Sequence, residues 1–257
     1  MSPFVHLIAD YGRGDPAFSE VVHRLKHEDP TVTVQTTGVE PLSTVATGFW
    51  IEQFGLHHPP VEGLLIYANT APRTEAATPE GADPGGSLRY VRLDSGVPLV
   101  AVDAGYNLAF VRDHIEVFRH IDVDQTESQF RSRDFFPRHV VRIANGDMEA
   151  VGAELPVASI PEPPADRVCH VDGYGNVKTS IRVSEFRADG TEVSVTVGET
   201  ETNATVADAV TAVPEGAVGL VPGSAGGADP YLELFLRGGS AAAVFDDPRP
   251  GDEITIG

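Results

Sequence analysis

PFVHLIADYGRGDPAFSEVVHRLKH, residues 3–27, changes its hydrophobic period partway along, and that change decides how the first half of the chain folds. PFVHLIAD (3–10) is an apolar, β-rich run ending in an acid, whereas Ala17 to His27 carries Phe18, Val21, Val22 and Leu25 at helical spacing. The reading is strand, loop, helix. It repeats: VTVQTTGV leads to Leu42–Phe54, where Leu42, Val45, Phe49, Trp50 and Phe54 fit an amphipathic helix, and then to the apolar run GLLIYAN (63–69). LRYVRL and VPLVAVDAG (97–105) add two strands, and Leu108 to Ile121 and Asp134 to Ile143 read as two further helices. Alternation of this kind predicts an α/β domain over residues 1–158, a mostly parallel sheet with helices on both faces.

The texture changes at SIPEPPADR (159–167), where three prolines interrupt hydrogen-bonded structure and mark a linker. Beyond it VCHVD, VKTSIRV, TEVSVTVG, TNATVADAV, AVGLV, YLELFL and EITIG are short β-rich segments separated by turn residues. Residues 168–257 are therefore expected to form a smaller all-β barrel or sandwich. Two domains place a cleft at their boundary, within one chain or between subunits.

Composition bounds the function. The 257 residues are 41% hydrophobic and hold 18 Lys+Arg against 38 Asp+Glu, a formal net charge of −20. Lys26 and Lys178 are the two lysines, and the acids are spread along the chain. So diffuse a carboxylate surplus suits a high-salt environment, where screening over a few ångströms relieves self-repulsion, and it argues against a nucleic-acid partner. Cys169, the single cysteine, has no internal partner for a disulfide. No apolar run offers a membrane span, and the start MSPFVHLIADYG lacks the layout of an export signal, so a cytoplasmic location is expected.

Ligands of open parallel sheets sit beyond the carboxyl ends of the strands, which draws attention to Asp10, Asn69 and Asp103. A carboxylate there can grip a vicinal diol through its two acceptor oxygens, or it can cap the following helix; both readings stay open. Arg131 and Arg133 could hold an anion near a cleft, or face acids on the chain's own exterior. Other chemistries find no pattern. No serine sits in a G-x-S-x-G elbow, and neither H-E-x-x-H nor C-x-x-C occurs. Cys169 and His170 are neighbours on a strand and so point apart. GRGDP (12–16) and GSAGG (223–227) match no phosphate-binding fingerprint, and DVDQTES (122–128) lacks the glycine and glutamate of a calcium loop. No metal site or cofactor is expected.

The ordered set ADYGRGDP (9–16), FRSRDFFP (130–137), VDGYGNVKTSI (171–181) and GSAGGADPYLEL (223–234) with RGGSAA (237–242) resembles the S-adenosylmethionine (SAM) hydroxide adenosyltransferase, or SAM hydrolase, family, relatives of the SAM-dependent fluorinase and chlorinase. The family's stations read roughly T-D-F-G…D-P, F-H-G-R-D-x-F, D-x-F-G-N-x-x-T-N and G-S-x-G-x-x-E. The resemblance implies a homotrimer that binds SAM as substrate between the α/β domain of one subunit and the β domain of the next. It assigns Asp10 to the ribose diol and Asn176, with Asp172 and Tyr174 nearby, to the adenine or methionine end. Ser224 and Glu233 match the last station, with GADP inserted between them.

It also implies displacement at the ribose 5′ carbon, releasing adenosine and L-methionine. Hydrolytic members surround the nucleophilic water with an Asp–Arg–His set, and here the chain departs from them. At the station D-P-G-V-G-T-x-R this chain reads ANTAPRTE (68–75), which puts Asn69 in place of the aspartate and Arg73 as the candidate arginine. Arg131 replaces the histidine, and Ser132 stands where hydrolases carry glycine, as in the fluorinase pattern. The more positive pocket so implied favours an anion. Transfer to chloride is therefore the close alternative, and a non-catalytic adenosine- or SAM-binding protein is the second class.

Overall fold

The structure is a computed structural model that describes every residue except Met1, Arg13, Pro60, residues 72–85 and 124–127, and Asp189. It divides into two compact units, Met1–Glu162 and Pro163–Gly257. Both are built mostly of sheet with few helices. No helix among the described residues is long and apolar enough to cross a membrane.

The N-terminal unit runs β1 (Phe4–Ala9), α1 (Pro16–Glu28), β2 (Thr33–Gly38), α2 (Thr44–Leu56), β3 (Leu64–Asn69), β4 (Ser87–Leu93), β5 (Pro98–Asp103), β6 (Ile115–Ile121), α3 (Arg131–Asp134), α4 (Phe136–Ala144) and β7 (Val151–Glu154). The strands form one sheet in the order β2-β1-β3-β5-β4-β6-β7. Its first four members are parallel, whereas β4 runs antiparallel to both β5 and β6, and β7 antiparallel to β6. The sheet is therefore mixed where a mostly parallel one is expected. The cause is local: after β4, Gly96 at φ 84° closes a tight turn in which its N–H donates to the Leu93 carbonyl. A turn that short returns the chain antiparallel beside β4.

Alternate side chains of the strands join different cores. Val5, Leu7 and Ala9 pack with Val21 and Leu25 of α1 and Val140 and Val141 of α4, while Ile8, Ile66 and Ala68 pack with Ala46 and Ile51 of α2. Helix α1 starts as its sequence dictates: the Asp15 carboxylate accepts the Ala17 N–H at 2.8 Å, and Pro16 supplies a preset φ at the first helical position. Helix α2 is not the amphipathic element its spacing suggests. All of its residues except Trp50, Phe54 and Leu56 are buried, including Glu52, whose carboxylate pairs with His57 at 3.2 Å. The expected helix over Leu108–Ile121 is instead a short 3-10 turn (Ala109–His114) followed by β6. Ile115, Val117 and Phe118 prefer a pleated surface, and cross-strand pairing with β4 overrides the helical spacing.

The C-terminal unit holds β8 (Val168–Val171), β9 (Val177–Arg182), β10 (Glu192–Val197), β11 (Thr200–Val206), β12 (Val218–Pro222), β13 (Tyr231–Leu236), α5 (Ala241–Val244) and β14 (Ile254–Ile256). The strand order is β14-β10-β11-β12-β13-β9-β8. The two ends of the sheet nearly meet, because Val168 N–H donates to the Asp252 carbonyl and Ile254 N–H to that of Asp166, both at 2.9 Å. The result is a nearly closed, barrel-like sheet around Val168, Val195, Leu220, Leu234 and Phe245. Cys169 is fully buried.

Gly48 gives a direct test of how closely α2 is packed. A Cβ there would lie 2.3 Å from the Tyr106 carbonyl oxygen and 2.8 Å from the Phe110 ring. Gly48→Ala is expected to cost about 2 kcal/mol or more, read from urea unfolding of the full chain; an unchanged midpoint would contradict the packing described.

Candidate functional site

In the N-terminal unit the parallel register sets Ala9 of β1 opposite Asn69 of β3, so the residues that follow β1 emerge beside the end of β3. Asn69 Nδ2 donates to the Tyr11 hydroxyl at 3.1 Å, and Tyr11 Oη in turn donates to Ser132 Oγ at 2.8 Å. From below, the buried Tyr67 hydroxyl donates to the Ser132 carbonyl at 3.2 Å. Burial pushes the Tyr67 phenol well above its ordinary pKa, with Tyr11 adding to the rise, so it remains a donor. Asn69 and Ser132 are thus brought together through two tyrosines. Neither tyrosine is marked by the spacing of polar residues. Tyr11 could have been found from its place directly after the strand-end acid.

The remaining candidates of this unit surround that cluster with other partners. Asp10 Oδ2 accepts the Leu42 N–H at 3.0 Å, where Leu42 adopts a left-handed φ of 64° just before α2. Asp10 does not cap the helix that follows its strand, since that place is taken by Asp15; its bond goes instead to the segment leading into α2. Arg131 is half-buried, donates through Nη2 to the Gly86 carbonyl at 3.0 Å and lies 5.6 Å from the Phe136 ring centre. Arg133 faces acids of its own surface, Glu20 at 2.8 Å and Asp134 at 2.7 Å. The Arg133 hydrogen bond, then that of Ser128, holds the Asp134 carboxyl below its usual range. Arg73 lies outside the described residues.

Two networks beside these residues escape the sequence reading. Asp103, at the end of β5, accepts from Arg89 Nε at 3.1 Å, and Arg89 Nη1 lies 2.7 Å from His120 Nδ1. An arginine can only donate, so His120 Nδ1 is the acceptor and its proton is on Nε2. The fully buried Asn107 donates to the carbonyls of Thr70 and Val102, both at 2.8 Å, and Thr47 Oγ1 donates to Thr70 Oγ1 at 2.8 Å. These bonds tie the ends of β3 and β5 to α2. Each combines side chains from three separate segments, which no local pattern announces.

In the C-terminal unit, Asp172 organises the turn from β8 to β9. Its Oδ1 accepts the N–H groups of Tyr174 (2.8 Å) and Asn176 (3.0 Å), and its Oδ2 accepts Asn176 Nδ2 at 3.0 Å. Gly175 takes φ 82°, and a Cβ there would lie 2.0 Å from Ser240 Oγ, so glycine is required on both counts. The turn holds Tyr174 outward with 84% of it exposed. On the strands beyond, Lys178 Nζ donates to Glu233 Oε2 at 2.6 Å and to Ser224 Oγ at 3.2 Å. Ser224 and Glu233 are therefore brought together by a lysine that the sequence reading notes only for its rarity. The loop carrying Ser224 is pinned by Arg182, which donates to the carbonyls of Gly226 (3.2 Å) and Asp229 (2.8 Å) while its guanidinium lies 3.7 Å from the Tyr231 ring centre. Among the described residues, no group of three or more His, Cys, Asp or Glu side chains is gathered to hold a metal.

Each unit presents strand-end and turn polar groups on its sheet. Residues 166–255 match the family described as "SAM hydroxide adenosyltransferase C-terminal domain", which supports the SAM hydroxide adenosyltransferase family through the C-terminal unit. The whole chain is similar in fold to an uncharacterised conserved protein from Thermotoga maritima (TM-score 0.76, 23% identity, covering 98% of this chain and 100% of that one). It is also similar to a conserved hypothetical protein from Thermus thermophilus (TM-score 0.67, 21% identity, covering 100% of both chains). No curated protein matches in sequence.

Two measurements test this geometry. Asp172→Ala, which strips three donors of their acceptor, is expected to destabilise the C-terminal unit by about 1–3 kcal/mol in urea unfolding. Burial, then Lys178, lowers the pKa of His170 from its ordinary 6.5, against a smaller opposing pull from Asp172. The folded histidine thus binds its proton less readily than the unfolded one, so its contribution to stability is complete above about pH 6.5 and declines as the pH falls below it. The urea midpoint of the wild type should accordingly drop further between about pH 7.5 and 5 than that of His170→Gln; identical profiles would refute it.

Proposed function

We propose that this protein is a SAM hydrolase of the hydroxide adenosyltransferase kind, converting SAM and water to adenosine and L-methionine without a metal or further cofactor. The observation that carries the reading is the match of residues 166–255, the segment that contains Asp172, Asn176, Ser224 and Glu233. Bond by bond, a water oxygen attacks the ribose 5′ carbon while the C5′–S bond breaks and its electron pair passes to sulfur. Methionine leaves as a neutral thioether, so no acid is needed at the leaving group, and the water proton passes to solvent. The protein's task is alignment and exclusion of bulk water. Asp10 receives the ribose hydroxyls, Asn176 in its Asp172-braced turn reads the base or the amino-acid end, and Tyr174 offers an aromatic face. Ser224 and Glu233 complete the ligand contacts. Asn69, Ser132 and Arg131 are assigned to the surroundings of the nucleophile, as the resemblance implies for them and for Arg73. The exposed Tyr174 also suits a homotrimer in which the turn of one copy meets the α/β domain of the next.

One observation favours chloride as the nucleophile instead. Asn69 and Arg131 cannot take a proton from water at neutral pH, and Ser132 Oγ already accepts the Tyr11 proton. A halide needs no base. Incubating the protein with SAM in potassium chloride and again in a salt of an inert anion separates the two by product mass. Adenosine in both salts supports hydrolysis, 5′-chloro-5′-deoxyadenosine in chloride alone supports transfer to halide, and neither product in either salt refutes both, leaving at most a binding protein. Arg131→Ala should lower turnover at least tenfold with nucleoside affinity retained, and Asp10→Ala should weaken that affinity about tenfold.

A further inference from the structure

Lys178 sits inside β9 with 7% of its surface exposed, a costly place for an ammonium unless it is neutralised and hydrogen-bonded. Both conditions are met: Glu233 Oε2 is 2.6 Å from Nζ and Ser224 Oγ 3.2 Å. The approach is built in, because Lys178 and Glu233 are cross-strand partners of β9 and β13, and a Cβ at Gly223 would come within 2.9 Å of Glu233 Oε2. In the motif D-x-F-G-N-x-x-T-N the position of Lys178 is a variable one, so nothing in the resemblance requires a lysine here.

The charge arrangement narrows what this cluster can receive. An unpaired Glu233 would attract a cation; paired with Lys178, it carries no net pull. An ammonium has three N–H donors, of which Glu233 and Ser224 take two. Ser224 is exposed, and because its oxygen accepts from Lys178 its own hydroxyl proton is left to donate to another acceptor. The third Lys178 donor and the Ser224 hydroxyl together suit a planar group with two acceptor oxygens and a single negative charge. A phosphate dianion fits poorly, since the Glu233 carboxylate lies 2.6 Å from the nitrogen that would bind it.

We propose that Lys178 is a specificity-determining residue that, with Ser224, receives the carboxylate of the amino-acid tail of an adenosyl ligand. This rests on the adenosyl reading given above and deepens it. The test is calorimetric titration of the full chain as wild type, Lys178→Met and Lys178→Met/Glu233→Gln, the double variant removing both charges so that no lone ion is left buried. The probes are adenosine, S-adenosylhomocysteine, adenosine 5′-monophosphate and free L-methionine. Lys178→Met should bind S-adenosylhomocysteine at least tenfold more weakly and adenosine within twofold of wild type, and the double variant, which also alters Glu233, should lose S-adenosylhomocysteine by a clearly larger factor than adenosine. In any variant that keeps the wild-type melting temperature, equal weakening of the two nucleosides, or no weakening of either, overturns the proposal. So does a Lys178-dependent loss for the monophosphate as large as that for S-adenosylhomocysteine. If the wild type binds neither nucleoside, the adenosyl reading fails by itself and L-methionine decides the role of Lys178. Methionine affinity lost with the lysine sustains the carboxylate contact, and no methionine affinity in the wild type removes it.

Discussion

The parallel pairing of β1 with β3 is the constraint on which the N-terminal unit depends. Set in the register Ala9 opposite Asn69, it delivers Asp10 and Tyr11 to the end of the neighbouring strand. From there the two consecutive residues part company. Asp10 turns to the Leu42 amide ahead of α2, and Tyr11 to Ser132 in α3. A slip of one residue would exchange these partners and move Val5 and Leu7 out of their core. The interior packing therefore holds the polar cluster in place, and no separate device is needed.

The C-terminal unit solves the same problem with side-chain carboxylates. Asp172 commits both oxygens to its own turn, and Glu233 commits one to Lys178. In a chain with 18 basic residues against 38 acids, most carboxylates have no cation of their own to pair with. The partners of Asp172 and Glu233 are backbone amides, an amide side chain and an ammonium, all fixed by strands. Preorganised groups of this kind bind without a further ordering cost.

Much of this was legible in the residues themselves. PFVHLIAD and GLLIYAN declare strands, and Asp15 and Pro16 declare the start of α1. What stayed hidden is non-local. The strand character of residues 115–121 depends on pairing with β4, which a helical spacing of apolar residues does not reveal. The hairpin of β4 and β5 was foreshadowed by Asp94, Ser95 and Gly96 between two apolar runs, yet the alternation of strands and helices before it pointed to parallel pairing. At the candidate site, Asn69 and Ser132 are found by motif, but the tyrosine joining them and the lysine between Ser224 and Glu233 come from distances along the chain that no spacing rule spans.

The meeting of the first and last strands of the C-terminal sheet has a consequence for behaviour in crowded solution. Amides and carbonyls that would otherwise line an open margin are taken up by Asp166, Val168, Asp252 and Ile254, so that margin cannot template a strand from another molecule. The outer strands of the other sheet are poor templates too: β2 reads TVQTTG with mostly exposed polar side chains, and β7 is four residues long. Backbone that could pair with a strand of another molecule is thus scarce at these margins, and contact with neighbours falls to side-chain surfaces.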